Sequence, residues 1–524
     1  MLAIFALVAA LSLACGPAVA ATPPVPADGQ PPSGAPAPGL ARFYDQHLSW
    51  GSCAPFATTP ADKQAYTAPR LQCAYLEVPE NYANPGGATV RIGLLRVPAS
   101  DPAHRIGSLV MNPGGPGASG MSTAASFAAQ VAATDLGRRF DFVGFDPRSV
   151  ASSQPAVLCE TPAEQDAERA ADLSADTSPS GVAKLEAQEK TDNAECVART
   201  GTGTGLLANI GTRDVARDLD VMRAALGDQK LTFLGYSYGT RLGTAYAEAF
   251  PHNVRAMILD GAIDPAQNPI DRNVDQVAGF QKAFDAFAAF CTRRSDCALG
   301  TDPARAVAAY QALTRPLLDH PAPTADGRTL TYDDATIGTI TALYQPAGWQ
   351  TLNTGLAELA RGRGDTLMKL ADAYDNRSPD GSYGNDTAAF TAISCVDDPP
   401  VTDRATARAL DARDRAAAPF EDSGRPPSDA LGQCAFWPVP PTTQPHVPNV
   451  SGLPPVVVIS TTGDPATPYR SGVNLAKDLG ARLLTVQGTQ HTAFLQGITC
   501  VDSAGVAYLT SLTLPAKGMV CAAS

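Results

Sequence analysis

Five residues, Gly235-Tyr-Ser237-Tyr-Gly239, constrain this chain more than any other stretch. They follow the apolar run Leu231-Thr-Phe-Leu and lead into a helix-compatible stretch that continues to Phe250 and stops at Pro251. A serine between two glycines at a strand-to-helix turn is the pattern of a nucleophile elbow: the sharp turn exposes the hydroxyl, and the small neighbours relieve crowding. In a chain with 45 glycines the pentapeptide alone is a weak signal. A glycine-rich loop with an incidental serine competes with it, so the flanking pattern has to decide.

That pattern is a sheet. RIGLLRV at 91–97, SLVMN at 108–112, RFDFVGF at 139–145, AMILD at 256–260, PVVVIS at 455–460 and RLLTVQ at 482–487 read as buried strands. Between them, Val215, Leu219, Met222, Ala225 and Leu226 recur at helical spacing and end at Gly227. Alternating strands and helices predict the α/β class, an α/β-hydrolase with a mostly parallel, doubly wound sheet. After Asp264-Pro265 the alternation lapses into helices and loops, with amphipathic pieces such as GFQKAFDAFAAF and GLAELARGRGDTLMKLADAY. The expected organisation is a core over 41–265, a large, mainly helical cap over 266–440 inserted after the strand ending near Asp260, and the rest of the core over 441–524.

On such a sheet the acid and then the base follow the serine in chain order, each just past a strand end. Asp464 follows PVVVIS, in Thr-Thr-Gly-Asp-Pro, where an Asx turn is the competing use of the side chain. His491 follows RLLTVQ, and none of the other five histidines ends a late strand. Its ordinary titration near neutrality suits a general base. The tetrahedral intermediate of acyl transfer needs backbone N–H donors, expected from Tyr238, after the nucleophile, and from Gly115 in Pro113-Gly-Gly-Pro-Gly117. Pro116 has no N–H to give, and the loop lacks the spacing of phosphate- or dinucleotide-binding motifs.

At 524 residues there is room for a large core with an inserted unit. A formal charge of -13 argues against nucleic acid as a partner. Residues 1–20 are apolar, short and Ala-rich, and read as a signal peptide for export, followed by a Pro/Gly/Ala-rich linker over 21–40. Leu-Ala-Cys15 resembles the end of a lipobox, which would give a lipid anchor, whereas Ala18-Val-Ala20 offers ordinary cleavage; both readings stay open. Cys15 aside, ten cysteines remain: Cys53, Cys73, Cys159, Cys196, Cys291, Cys297, Cys395, Cys434, Cys500 and Cys521. An even set in an exported chain suggests disulfides, and pairing in sequence order would close loops of about 6 to 39 residues, with other connectivities open. No Cys-x-x-Cys pair occurs, and neither a metal nor a cofactor is expected.

NPGGPGASG, DFVGFDPR, GYSYGTRLGTAYAEAFP, ILDGAIDP, AISCVDDPP, CAFWPV, STTGDPATP and GTQHTAF together resemble the secreted tripeptidyl and prolyl aminopeptidase-like serine hydrolases of actinobacteria. Within that family the likeness is to a mycobacterial cell-envelope protease that is also described as a carboxylesterase. The resemblance spans nearly the whole mature chain, and its nucleophile, acid and base fall on Ser237, Asp464 and His491. One segment departs: Arg148-Ser149-Val150-Ala151 stands where the family usually has Arg-Gly-x-Gly.

An aminopeptidase must hold a free ammonium group, for which a buried carboxylate is the natural partner, and Asp397 in Ile393-Ser-Cys-Val-Asp is the expected one. The leading expectation is an exported serine exopeptidase that releases short peptides, tripeptides by the resemblance, through an acyl-enzyme on Ser237, with peptide or protein N-termini as substrates. A carboxylesterase or lipase using the same triad on small esters is the alternative. A catalytically silent binding protein on the same scaffold is the third reading.

Overall fold

A computed structural model describes residues 39–523 of the chain. The expected signal segment with Cys15, and the linker as far as residue 38, lie outside the described residues.

The core is one nine-stranded sheet, built from β1 (Gln72–Pro79), β2 (Thr89–Val97), β3 (Gly107–Asn112), β4 (Phe140–Phe145), β5 (Leu231–Tyr236), β6 (Val254–Asp260), β7 (Val457–Thr461), β8 (Arg482–Gln487) and β9 (Val520–Ala522). Their order across the sheet is β1-β2-β4-β3-β5-β6-β7-β8-β9. β2 pairs antiparallel with β1 and with β4, and every other pairing is parallel. Strands buried on both faces need apolar residues throughout, and the side chains divide by alternation. Val110, Phe233, Met257 and Val458 pack on one face with Leu219 and Leu242. Leu109, Leu234, Ile258 and Ile459 pack on the other with Val501 and Leu509.

The sheet is interrupted after β6 and resumes at β7, as the lapse in the strand pattern predicts. The helices between include Pro269–Cys291, Tyr332–Leu343, Trp349–Leu359, Asp365–Tyr374 and Asp386–Asp397. The first four bury a separate cluster that includes Phe284, which stacks on Phe420 with ring centroids 4.9 Å apart, while the last packs with Val150 and Tyr238. The run GLAELARGRGDTLMKLADAY is two helices, not one, because Gly362 turns the chain at φ +76°.

Helices Pro162–Ala171 and Pro179–Thr200, inside the stretch expected as core, also join this layer. Arg169 pairs with Asp334 and Asp372, Arg377 pairs with Asp166, and Asn193 donates to the carbonyl of Gln433. The roof over the sheet is therefore drawn from two excursions of the chain.

Each of the ten cysteines bonds its nearest neighbour in sequence: Cys53–Cys73, Cys159–Cys196, Cys291–Cys297, Cys395–Cys434 and Cys500–Cys521. Among the described residues no helix is long and apolar enough to cross a membrane.

Candidate active site

Ser237 sits between β5 and the helix Tyr238–Ala249 at φ +54°, ψ −124°, a conformation that costs a non-glycine residue about 1–3 kcal/mol. Its surroundings enforce it. The Ser237 N–H donates to the carbonyl of Asp260 at the end of β6 (2.9 Å), and the Ser237 carbonyl accepts from the N–H of Thr240 (2.9 Å). The flanking glycines are needed for space: a Cβ on Gly235 would lie 2.4 Å from the Gly239 carbonyl oxygen, and one on Gly239 would lie 2.7 Å from that of Asn112. Ser237 remains partly exposed while both glycines are buried.

Asp464, in the turn after β7, is 3% exposed. Its Oδ1 accepts the N–H groups of Ala466 and Thr467, both at 2.9 Å, so the Asx turn foreseen as a competing use is real. The same carboxylate faces His491 Nδ1 at 2.8 and 3.0 Å. The turn therefore aims the acid rather than replacing its role. Thr467 Oγ1 lies 3.3 Å from the same ring nitrogen.

His491, in the loop after β8, is fixed from above by the cap. Its N–H donates to the Tyr344 carbonyl (2.9 Å), its carbonyl accepts from Gln345 Nε2 (2.8 Å), and the Tyr344 ring meets the imidazole edge-on. Gly261, at φ +67°, lies below: a Cβ there would stand 3.1 Å from His491 Cε1. Burial is the largest influence on the imidazole and favours the neutral ring. The charge and hydrogen bond of Asp464, with the charge of Asp260, outweigh it and raise the His491 pKa above its ordinary 6.5. With Nδ1 occupied by Asp464, Nε2 is the nitrogen left to accept a proton.

The glycine-rich loop after β3 lies against the elbow. A Cβ on Gly114 would come 2.8 Å from Ser237 Cβ and 3.0 Å from the Tyr238 nitrogen. Gly114 gives its own N–H to Asn112 Oδ1 (3.0 Å), whereas the Gly115 N–H has no acceptor among the described residues. Tyr238 opens its helix, where a first-turn N–H has no intrahelical partner. The loop and the elbow are thus adjacent, with these two donors uncommitted.

Asp397, the carboxylate expected to meet the substrate amine, lies buried between the cap and the elbow helix. It is 1% exposed, and its carboxylate accepts from the Thr212 N–H (2.8 Å), from the Thr212 hydroxyl and from Tyr238 OH (3.3 Å), with the Arg241 charge nearby. These contacts tie the cap to the elbow helix. Arg148 is fully buried against Asp218, and the turn after it holds Ser149 at φ +69° and Ala151 at φ +43°. These are the two positions where the resemblance led to an expectation of glycine. Asn385 of the cap clamps the turn, donating to the Ser149 and Val157 carbonyls and accepting from the Ala151 N–H, each at 2.8–3.0 Å.

Sequence reasoning missed Asp260, Asn112, Gly261, Tyr344 and Thr467. Asp260 carried the one available signal, since it too ends a strand and precedes a glycine.

The family model for the alpha/beta hydrolase fold matches residues 107–498. The chain is similar to "Serine protease Hip1" of Mycobacterium tuberculosis, 51% identical over 457 residues, covering 86% of this chain and 87% of that protein. It is 48% identical over 508 residues to "Carboxylesterase B" of Mycobacterium tuberculosis, covering 96% and 95%. It is 31% identical over 497 residues to "Tripeptidyl aminopeptidase" of Streptomyces coelicolor, covering 92% and 87%.

Proposed function

This chain belongs to the alpha/beta hydrolase family, and we propose that within it the chain is an exported serine exopeptidase that releases short peptides, tripeptides in the first instance, from free N-termini. The observation that carries the reading is the Asp464 carboxylate set across His491 Nδ1 at 2.8 and 3.0 Å, on the same sheet edge as a strained, partly exposed serine. Relatives named as a serine protease and a tripeptidyl aminopeptidase support a peptide substrate.

In the proposed cycle His491 Nε2 accepts the Ser237 hydroxyl proton as Oγ bonds to the scissile carbonyl carbon. The oxygen that gains charge is held by the N–H groups of Gly115 and Tyr238. As the C–N bond breaks, the His491 proton passes to the leaving amine. His491 then draws a proton from water as its oxygen attacks the ester on Ser237, and returns that proton to Ser237 Oγ as the C–Oγ bond breaks and the peptide acid leaves. Asp464 keeps the imidazole oriented and stabilises its charged form.

Export is part of the same proposal. Five consecutive bridges suit an oxidising compartment. The protein is either held at the envelope through lipidated Cys15 or released after Ala20, and the intact mass of the mature protein separates the two.

Carboxylester hydrolysis is the second reading, favoured by the relative named Carboxylesterase B. A silent binding scaffold gives no reason for a strained serine in a chain that also orients an imidazole with a buried carboxylate. The deciding experiment compares a free tripeptide amide with its N-acetylated twin, using Ser237→Ala as the blank. Strong preference for the free amine supports the exopeptidase. Equal or absent peptide cleavage with rapid turnover of a short acyl ester puts the esterase first.

A further inference from the structure

Asp260 touches both arms of the candidate triad. Its main-chain carbonyl accepts the Ser237 N–H at 2.9 Å. Its side-chain Oδ2 accepts the N–H groups of Ala493 (2.9 Å) and Phe494 (2.7 Å), two and three residues past His491. Tyr236, at the end of β5, adds a parallel tie by donating its hydroxyl to the Phe494 carbonyl (2.9 Å). The next residue, Gly261, forms the floor beneath the imidazole.

The chemistry of this carboxylate is unusual for a structural tether. Asp260 is fully buried, and its Oδ1 has no hydrogen-bond partner among the described residues. Two amide donors alone could be satisfied by a neutral carbonyl, so a buried charge here is costly unless something else uses it. The titratable groups around it are Asp464 from the turn after β7, His491 from the loop after β8 and Tyr236 from β5. Burial, with the charge of Asp464, outweighs the pull of the two amides and of His491, and the Asp260 carboxyl is raised to about 7. In turn, the Asp260 charge raises the His491 pKa. The one cation in this group is the imidazolium that exists only while His491 holds the serine proton.

We propose that Asp260 is a positioning residue for the reaction, joining the nucleophile to the loop of the base and supplying a second negative charge behind the His491 imidazolium. The inference rests on the assignment of Ser237, Asp464 and His491 as the triad.

Two variants separate its two parts. Asp260→Asn keeps a carbonyl that accepts both amides but removes the charge, and Asp260→Ala removes both. The full mature chain is labelled with a fluorophosphonate across pH 5 to 9, with Ser237→Ala as the blank and a melting curve for each variant. In Asp260→Asn the labelling rate is expected to fall about tenfold. Its acid limb moves to lower pH by about half a unit or more, because the imidazole loses a neighbouring negative charge. Asp260→Ala falls further; if it does not fold, the isosteric variant decides. Failure of the wild type to label at Ser237 sinks the triad assignment and this inference with it. Labelling of the wild type with an unshifted rate and acid limb in Asp260→Asn overturns the inference alone, even if the melting temperature drops.

Discussion

Gly114 stands so close to Ser237 that a methyl group on it would lie 2.8 Å from the serine Cβ. The same methyl would lie 3.0 Å from the Tyr238 nitrogen and 2.7 Å from the Tyr236 carbonyl oxygen, all parts of the elbow that have no room to move. Gly114→Ala is therefore expected to push the glycine loop away from the elbow and separate the N–H groups of Gly115 and Tyr238. Loss of one oxyanion donor predicts a fall in kcat of about 100-fold or more, with KM little changed. Steady-state kinetics on the preferred substrate, beside a far-UV spectrum to confirm folding, checks this.

The raised pKa of His491 makes activity and stability run in opposite directions with pH. The base must be neutral, so kcat/KM falls as pH drops through a folded-state pKa lying above 6.5. The stability contributed by the protonated imidazole beside Asp464 is fully present below the unfolded-state value near 6.5 and is lost as pH rises through the folded-state pKa. Asp464→Asn removes the partner, leaving burial to favour the neutral ring. It should lower the acid limb while cutting kcat by roughly 10⁴-fold. A pH–rate profile of both proteins that showed the limb moving upward in the variant would contradict this assignment.

Ser149 and Ala151 occupy a left-handed turn in which the family's glycines would be unstrained. Ser149 also buries a hydroxyl with no partner among the described residues. Ser149→Gly and Ala151→Gly should each raise the unfolding free energy, by about 0.5–1 kcal/mol after allowing for the greater freedom of glycine in the unfolded chain. Denaturant midpoints measure this directly. Asn385→Ala, which removes the clamp on the same turn, should lower the midpoint.

Asp397→Asn separates a carboxylate that holds the cap from one that holds the substrate amine. Removing its charge beside Arg241 and weakening the Thr212 and Tyr238 contacts predicts a loss of about 2–4 kcal/mol and a lower kcat. The ratio of rates on free and N-acetylated tripeptide amides should stay at the wild-type value. A collapse of that ratio would return Asp397 to the substrate's amine.

The strands and the three residues at their ends were legible because each signal is local: an apolar run, a glycine pair, an Asp or His just past the strand. The contacts of Asp397 were not legible, because its partners Thr212 and Tyr238 are 185 and 159 residues away in the chain. Nothing beside Asp397 in sequence announces them. Helices 162–171 and 179–200 are attached to the cap through polar contacts of Asp166, Arg169, Glu186 and Asn193, which leave no apolar period to read. Asp260 escaped notice for a different reason. A strand-ending Asp-Gly looks like a turn, and only the fold brings the His491 loop across it.

The consecutive order of the five bridges has a consequence for how the chain can be cut. No covalent link spans residues 298–394, since Cys291 closes on Cys297 and the next bridge begins at Cys395. One proteolytic nick in that part of the cap would leave β1–β6 and β7–β9 joined by non-covalent contacts alone, among them the hydrogen bonds between β6 and β7 and those of Asp260 and Tyr236 to the His491 loop. A denaturing gel run without reductant would then show two fragments, whereas a nick between Cys395 and Cys434 would still run as one. The same order suits synthesis: from Cys53 onward, each thiol that emerges to close a bridge finds its partner as the only one waiting.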